Sequence, residues 1–196
     1  MKSLSVREKS GAKIIKELVG RDVPVLVDPT LLISKEHWLS IARKAPNRPD
    51  DNYILTYFLG KVSDETNKQI KDLSKKYKMK IIRLADLNDR EAYVAGPSEF
   101  IDYINSASIL LTDSFHGVAF SILFEKPFIV YERSGSSMYS RIETLLEIFN
   151  LRSREVRHIK NADDIFNIDY LHVAPILEAE RNKALNYLRE AFNIQE

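Results

Sequence analysis

Short runs of β-forming residues alternate with amphipathic helical patterns along most of this chain. The β-forming runs fall at residues 4–6, 23–27, 53–58, 80–84, 109–112 and 128–131. The helical patterns between and after them fall at residues 8–18, 35–43, 64–77, 98–105, 118–124 and 140–150. Such alternation is typical of βαβ units, in which a helix returns the chain so that successive strands run parallel. The sequence therefore predicts an α/β protein with six strands in a doubly wound parallel sheet.

Two of the predicted strands are apolar at consecutive positions, residues 25–27 and 109–111. A strand with one solvated face would instead alternate apolar and polar side chains, so helices are expected on both faces. We therefore predict a three-layer, Rossmann-like arrangement. A final helical pattern at residues 175–192 carries an apolar stripe, and we expect it to pack on the same single domain, which spans residues 1–196.

Local signals mark the ends of several predicted helices. Ser34 precedes the second helical pattern and is a candidate N-cap, as is Ser63 or Asp64 for the third. Gly20 follows the first pattern, where a glycine commonly ends a helix.

Composition argues against several classes of function. The chain has 196 residues, enough for one compact domain, with 29 lysines and arginines against 28 acidic residues. This balance leaves no global field for nucleic acid, so an anion site has to be local. No apolar stretch approaches the roughly 20 residues that span a bilayer, and no secretion signal is recognisable. The chain also lacks cysteine, which suits a reducing compartment, and we expect a cytoplasmic protein without a transmembrane segment.

Metal and cofactor motifs are missing from the sequence. His37, His158 and His172 have no spacing to one another or to carboxylates that is typical of metal ligands. The glycine-rich fingerprints for nucleotide phosphates and the common hydrolase motifs are also missing. We therefore predict no metal site and no bound cofactor.

The residues that follow the predicted strands are the best candidates for a functional site. Carboxyl ends of parallel strands lie at one edge of a sheet, and ligands bind there, where the strand order reverses. The most informative run reads DSFHG at residues 113–117, just before a helical pattern. The unpaired amides and positive dipole end of that helix favour an anionic group beside His116. An anion-binding site at this turn is the first functional prediction.

Two side chains at this edge are candidates for the chemistry. Histidine titrates near neutrality, so His116 can act as a general acid or donate a charge-assisted hydrogen bond; alternatively it only caps a strand end. Arg7 follows the first predicted strand and can bind a carboxylate or phosphate through two hydrogen bonds. The alternative for Arg7 is an ordinary surface pair with Glu8 or another acid. Gly117 allows close approach of a ligand, or serves the turn alone.

A third candidate lies where a small-residue loop meets the sixth helical pattern. Ser137, Ser140 and Arg141 fall there, and a helix start can bind an anion. The alternative is a loop without a ligand, since such loops are common. Asp28 and Asp113 are interpreted as holding loop backbone, because aspartate often bonds nearby amides.

Seven segments of the chain together resemble the polysaccharide pyruvyl transferase family. They cover most of residues 5–150, and their combination is far more specific than any one segment. The segments are SVREKSG at 5–11, VDPTLLIS at 27–34 followed by Trp38, ILTYFLG at 54–60, GPSEF at 96–100, TDSFHG at 112–117, KPFIVYER at 126–133 and SRIETLL at 140–146.

The resemblance implies an enzyme with two Rossmann-like lobes of the glycosyltransferase-B type. Such an enzyme transfers pyruvate from phosphoenolpyruvate, a substrate rather than a cofactor, to a sugar of a bacterial cell-surface polysaccharide as a ketal. By this resemblance the chain is the C-terminal, donor-binding lobe, and the saccharide acceptor binds an N-terminal lobe that lies before residue 3.

The resemblance also implies roles for individual residues. The family's donor-binding arginine falls on Arg7, and the histidine of its arginine-leucine-histidine pattern falls on His116. Ser114 and Phe115 stand where that pattern has arginine and leucine. We therefore predict His116 as the catalytic residue, and the predicted substrate-binding residues are Arg7, Ser114, Phe115, Gly117, Ser140 and Arg141.

Two other functions fit the same sequence. In a nucleotide-sugar-binding lobe of a glycosyltransferase, Glu132 would contact the ribose and the loop at Gly96 and Pro97 would contact the base. Alternatively, the chain is an inactive module that only binds a partner.

Overall fold

The computed structural model describes residues 3–133, 139–161 and 163–194. One parallel sheet lies at the centre of the described part and has four strands: β1 (Tyr53–Tyr57), β2 (Lys80–Leu84), β3 (Ile109–Thr112) and β4 (Phe128–Val130). Their spatial order is β2-β1-β3-β4, and every neighbouring pair is parallel.

Helices surround this sheet. In chain order they are α1 (Lys9–Val19), α2 (Lys35–Ser40), α3 (Asp64–Tyr77), α4 (Arg90–Tyr93), α5 (Pro97–Ser106), α6 (Phe115–Leu123), α7 (Tyr139–Ile148) and α8 (Val173–Phe192). Short 3-10 turns lie at Pro29–Leu32, Arg152–Arg154, Val156–His158 and Asp163–Ile165.

Apolar side chains are buried on both faces of the sheet. On one face Ile54 of β1 and Ile109 of β3 pack with Ile70 of α3. On the other face Leu55 and Leu110 belong to the larger cluster, which also holds side chains of α5, α6, α7 and α8. Because successive strand residues point to opposite faces, the consecutive apolar runs fill both layers. The predicted three-layer, Rossmann-like class is confirmed.

The predicted helix ends at Ser34, Ser63 and Gly20 are also confirmed. The Ser34 hydroxyl accepts a hydrogen bond from the His37 amide at 3.3 Å, and that of Ser63 accepts one from the Thr66 amide at 3.1 Å. Gly20 ends α1 with φ of 70°, a left-handed conformation that glycine adopts without steric cost.

The predicted number of strands in the sheet is wrong. Val6 and Val25 form only an isolated parallel bridge, outside the four-stranded sheet. The bridge has two backbone hydrogen bonds, from Val6 to the Pro24 carbonyl at 3.1 Å and from Leu26 to the Val6 carbonyl at 2.9 Å. Pro24 has no amide hydrogen to extend a ladder, and Pro29 starts a 3-10 turn soon afterwards. These two segments are therefore too short to form regular strands.

Helix α6 begins three residues earlier than the pattern predicts, at Phe115 instead of residue 118. Ser114 is its N-cap, and the hydroxyl accepts a hydrogen bond from the Gly117 amide at 3.4 Å. His116 therefore lies in the first turn of a helix rather than in a turn before it.

The last helix packs on the core along only part of its predicted apolar stripe. It begins at Val173, two residues before the predicted start at Pro175. A proline is tolerated in the first turn of a helix, so the two positions are compatible. Ala184 is buried, whereas Phe192 is 72% exposed. The first half of the stripe therefore joins the core, and the end of the stripe faces solvent.

Candidate functional site

The strand order reverses between β1 and β3, and a small cavity lies at their carboxyl ends. The chain passes from β1 to β2 on one side and from β3 to β4 on the other. In sheets of this kind, the crevice at the reversal is where ligands bind. The cavity there measures about 80 Å³, and its lining residues are Leu59, Asp113, Ser114, Phe115, His116, Arg133, Tyr139, Arg141 and Ile142.

Four of the predicted site residues share this cavity: Ser114, Phe115, His116 and Arg141. The His116 ring is exposed and contacts the Phe115 ring edge-on, with a centroid distance of 5.5 Å. Its place in the first turn of α6 puts it beside the positive end of the helix dipole. The geometry therefore places an exposed imidazole beside the positive end of the α6 dipole.

Arg141 supplies a positive charge to the same cavity. Its guanidinium lies over the Phe115 ring, 5.6 Å from the centroid. In the part of the chain that the structure describes, the Arg141 side chain has no hydrogen bond or ion pair. Its planar fork is thus available for two hydrogen bonds to a carboxylate or a phosphate.

A buried carboxylate organises the wall of the cavity. Asp113 accepts hydrogen bonds from the amides of Leu59 at 2.7 Å and Gly60 at 2.9 Å, and from the Arg133 Nε at 3.0 Å. Its role in holding loop backbone was predicted and is confirmed. The carboxylate fastens the loop after β1 to the loop after β3 and to the segment after β4.

Arg133 and Tyr139 line the cavity but were not among the predicted site residues. Arg133 is the second residue after the last predicted strand. That position places it at the edge of the sheet where ligands bind, which is a signal that could have identified it. It also needs a glycine beneath it, because a Cβ at Gly60 would lie 2.7 Å from the Arg133 Cγ. Burial raises the pKa of the Tyr139 phenol, which therefore stays protonated as a hydrogen-bond donor at neutral pH.

Arg7 does not line this cavity. Its guanidinium donates a hydrogen bond to the buried Asp28 carboxylate, at the ends of the bridged segments that contain Val6 and Val25. Asp28 also accepts bonds from the amide and hydroxyl of Thr30 at 3.0 and 2.8 Å, so its predicted role in holding backbone is confirmed. A ligand role for Arg7 stays a prediction.

Ser140 and Gly117 also lie outside the cavity lining. The Ser140 hydroxyl donates a hydrogen bond to the Glu8 carboxylate, which ties the start of α7 to the start of α1. Gly117 is buried, and a Cβ there would lie 2.7 Å from the Thr112 Oγ1. Close packing of α6 against β3 thus explains this glycine. Ser137 falls outside the described residues.

The features expected for a nucleotide-sugar site lie apart from this cavity. Gly96 lines a separate cavity of about 340 Å³ next to α5, together with Pro46 and Tyr103, and Glu132 is not in its lining. Neither residue lines the His116 cavity.

The described residues also bear on metal binding and on membrane insertion. Among them, no cluster of three or more histidine, cysteine, aspartate or glutamate side chains could hold a metal ion. The described helices include none with the length and apolar character needed to span a bilayer.

The fold and the cavity together define a Rossmann-like α/β protein with an anion-favouring site at the reversal of its strand order. The family model for polysaccharide pyruvyl transferase matches residues 2–135 of the 196-residue chain, and the chain therefore belongs to the polysaccharide pyruvyl transferase family. Comparisons with curated proteins and with solved structures found no match.

Proposed function

We propose that this chain is the C-terminal, donor-binding lobe of a pyruvyl transferase that uses phosphoenolpyruvate as its donor and a saccharide as its acceptor. The observation that carries the proposal is the shared cavity of His116 and Arg141 at the strand reversal, in a chain that belongs to this family. An N-terminal lobe would supply the acceptor site, and the reaction would take place in the cytoplasm.

The size of the cavity favours a small donor over a nucleotide sugar. Its volume is about 80 Å³, whereas sites for drug-sized ligands measure roughly 300–1,000 Å³. Phosphoenolpyruvate is small and carries a carboxylate and a phosphate. A small cavity beside positive charges suits one end of such a molecule.

Arg141 makes up for a charge missing from the family pattern. Ser114 stands where the resemblance places an arginine. Arg141 and Arg133 line the same cavity, and the Arg141 guanidinium has no polar partner among the described residues. In this scheme Arg141 binds one anionic group of the donor, while the charge of Arg133 is balanced by its ion pair with Asp113.

His116 acts as the general acid in the proposed reaction. A protonated His116 gives its proton to the methylene carbon of phosphoenolpyruvate, and the electrons of the carbon–carbon double bond form the new C–H bond. Positive charge develops at C2, and a sugar hydroxyl forms a bond to C2 and releases its proton. The proton released by the first hydroxyl restores the protonated His116. A second sugar hydroxyl then forms a bond to C2 as the bond from C2 to the phosphate oxygen breaks, and its proton leaves on the phosphate, which closes the ketal.

Ligand binding tests the donor assignment. Thermal unfolding is measured with phosphoenolpyruvate and with a panel of nucleotide sugars, since only a ligand of the folded state raises the melting temperature. We expect phosphoenolpyruvate alone to raise it, and Arg141→Gln to weaken its binding roughly tenfold or more. Arg43→Gln, which changes an exposed arginine away from the cavity, is the control. Stabilisation by a nucleotide sugar that is lost in Arg141→Gln would place the nucleotide sugar in the His116 cavity and contradict the proposal.

Kinetics test the role of His116. In the complete pyruvyl transferase with its acceptor, His116→Gln is expected to lower kcat roughly 100-fold or more, the usual contribution of a general acid. If the chemical step of the variant stays within a few-fold of the wild type, His116 is not the acid.

A further inference from the structure

A second cavity lies at the carboxyl ends of β1 and β2, beyond the loop that borders the His116 cavity. It measures about 400 Å³, within the range of roughly 300–1,000 Å³ that is usual for small-molecule sites. Leu59 lines the first cavity and Gly60 lines the second, so the two are neighbours across this loop. The second cavity adjoins an outer groove along α3, with which it shares Asn67, Arg83, Asp86 and Asn88.

A half-buried arginine faces the second cavity. Arg83 lies on β2 two residues after Ile81, which packs with Ile70 of α3, so both side chains point to the α3 face of the sheet. In the described part of the chain the Arg83 guanidinium has no hydrogen bond or ion pair; only its backbone amide is bonded, to Asp89 at 2.9 Å. A partly buried charge without a partner is costly, which favours an anion from outside the chain.

The carboxylates nearby are engaged with loop backbone. Asp86 accepts hydrogen bonds from both the amide and the side chain of Asn88, each at 2.9 Å. Asp89 accepts from the Arg83 amide and, at 3.3 Å, from the Ala92 amide at the start of α4. Neither forms an ion pair with Arg83 within the ranges that the structure describes. Lys61 adds a second positive charge to the lining.

The rest of the wall combines polar and apolar side chains and includes a strained residue. The polar members are Thr56, Asn67, Asp86 and Asn88. Phe58, Ile70 and Leu87 line the cavity. Ala85 also lines it with φ of 60°, a left-handed conformation that an alanine rarely adopts. Strain of this kind is often retained at ligand-binding loops. A ligand for this cavity therefore needs an anionic end for Arg83 and Lys61 and an apolar portion that contacts Phe58, Ile70 and Leu87.

We infer that this second cavity is a binding site for an organic phosphate, with Arg83 and Lys61 on the phosphate and Phe58, Ile70 and Leu87 on the apolar part. A phosphate matches the guanidinium fork geometrically and carries enough charge for two cations. The site is distinct from the donor cavity, so it does not depend on the proposed pyruvyl transfer.

Calorimetric titration of this chain with phenyl phosphate tests the inference. Phenyl phosphate is expected to bind saturably at one site, and Arg83→Gln and Lys61→Gln are each expected to weaken that binding, the former roughly tenfold or more. Lys61 is exposed, so its replacement keeps the test valid if the Arg83 variant folds poorly. Lys75→Gln is the matched control, because this exposed lysine lines only the outer groove.

Two further titrations distinguish an organic from an inorganic phosphate and the second cavity from the His116 cavity. Inorganic phosphate is expected to bind more weakly than phenyl phosphate, and Arg141→Gln is expected to leave phenyl phosphate binding unchanged. The inference would be overturned if phenyl phosphate did not bind saturably, or if the Arg83 and Lys61 variants bound it as tightly as the wild type. Equal affinity of the wild type for inorganic phosphate and phenyl phosphate would also overturn it. Loss of binding in Arg141→Gln would assign the ligand to the donor cavity and would also overturn it.

Discussion

At the scale of single residues, Asp113 decides the shape of the His116 cavity. Its side chain is buried, and it holds the amides of Leu59 and Gly60 together with the Arg133 guanidinium. The two oxygens of a carboxylate only accept hydrogen bonds and together can accept several. The aspartate side chain can therefore bind two amides and a guanidinium at once. One residue therefore positions both a loop and a cation of the site.

We predict that Asp113→Ala lowers the free energy of unfolding by roughly 3–5 kcal/mol, the usual result of removing one partner from a buried ion pair. The same variant is expected to weaken phosphoenolpyruvate binding, because Arg133 loses its anchor. Urea unfolding measures the first effect and calorimetry the second. Asp50→Ala, which removes an exposed pair with Lys44, serves as the control and is expected to change neither. If Asp113→Ala unfolds at the same urea concentration as the wild type, the Asp113 contacts contribute little to stability.

At the scale of elements, α6 reaches its place because Gly117 lets it approach β3. Thr112 fills the space beside this glycine, donating a hydrogen bond to the Tyr57 carbonyl at 2.6 Å and accepting one from the Ser114 amide at 2.9 Å. A side chain at residue 117 would disturb these bonds and move the first turn of α6, which carries His116.

Gly117→Ala is predicted to destabilise the protein by about 1–3 kcal/mol, as expected for overpacking a buried contact. Gly11→Ala is the matched control, since a Cβ there would meet its neighbours at an ordinary 3.5 Å within α1. Alanine favours a helix, so we expect Gly11→Ala to stabilise by about 0.5–1 kcal/mol. Thermal unfolding of both variants measures the difference, and a neutral Gly117→Ala would contradict the packing explanation.

The turn at Asp28 predicts a dependence of stability on pH. Burial raises the pKa of the Asp28 carboxyl. The hydrogen bonds from Thr30 and the interaction with Arg7 lower the pKa by more than burial raises it, so the pKa lies below the ordinary value of 3.8. The folded state therefore favours the ionised carboxylate. Its contribution to stability is complete above the pKa of the unfolded chain and is lost as the pH falls through the folded value.

Asp28→Asn is expected to flatten the decrease in unfolding free energy as the pH falls below 3.8, because the titrating group is gone. Denaturant unfolding at several pH values measures this slope. Asp51→Asn, an exposed aspartate, is the control and should keep the wild-type profile. An equally steep acid loss in Asp28→Asn would rule out a significant contribution from this carboxyl.

At the scale of the whole molecule, α8 joins the last part of the chain to an early one. The Arg181 guanidinium donates hydrogen bonds to the Leu31 carbonyl at 2.7 Å and to the Ile33 carbonyl at 3.0 Å. The turn that contains Leu31 also packs against α6. The helix thus holds the turn after Asp28 against the layer that carries the His116 cavity.

Hydrogen exchange tests this connection. In Arg181→Met we expect faster exchange of the Leu31 amide, which is bonded to the Asp28 carbonyl at 2.9 Å, while amides of β3 keep their protection. Lys183→Met changes an exposed cation on the same helix and should leave the Leu31 rate unaltered. Unchanged exchange in Arg181→Met would mean that apolar packing alone fixes the turn.

Much of the fold follows from local signals. The predicted bounds of β2, β3 and α3 agree with the structure, because each has a clear apolar or amphipathic pattern and polar ends. The first two predicted strands are not regular strands in the structure. A ladder needs several backbone amides that face the neighbouring segment, and Pro24 has no amide hydrogen to donate. The start of α6 differs because the apolar pattern begins after its cap.

The sequence by itself determined the parallel α/β class, the caps at Ser34 and Ser63, and the polar run that ends in His116. These features depend on periodicity and on hydrogen bonds between residues close in the chain. Only the tertiary structure decided that Arg133 and Arg141 join His116, that Arg7 pairs with Asp28, and that Arg83 faces a second cavity. Such contacts join distant segments, and their geometry depends on how strands pair and helices pack, which no local pattern specifies.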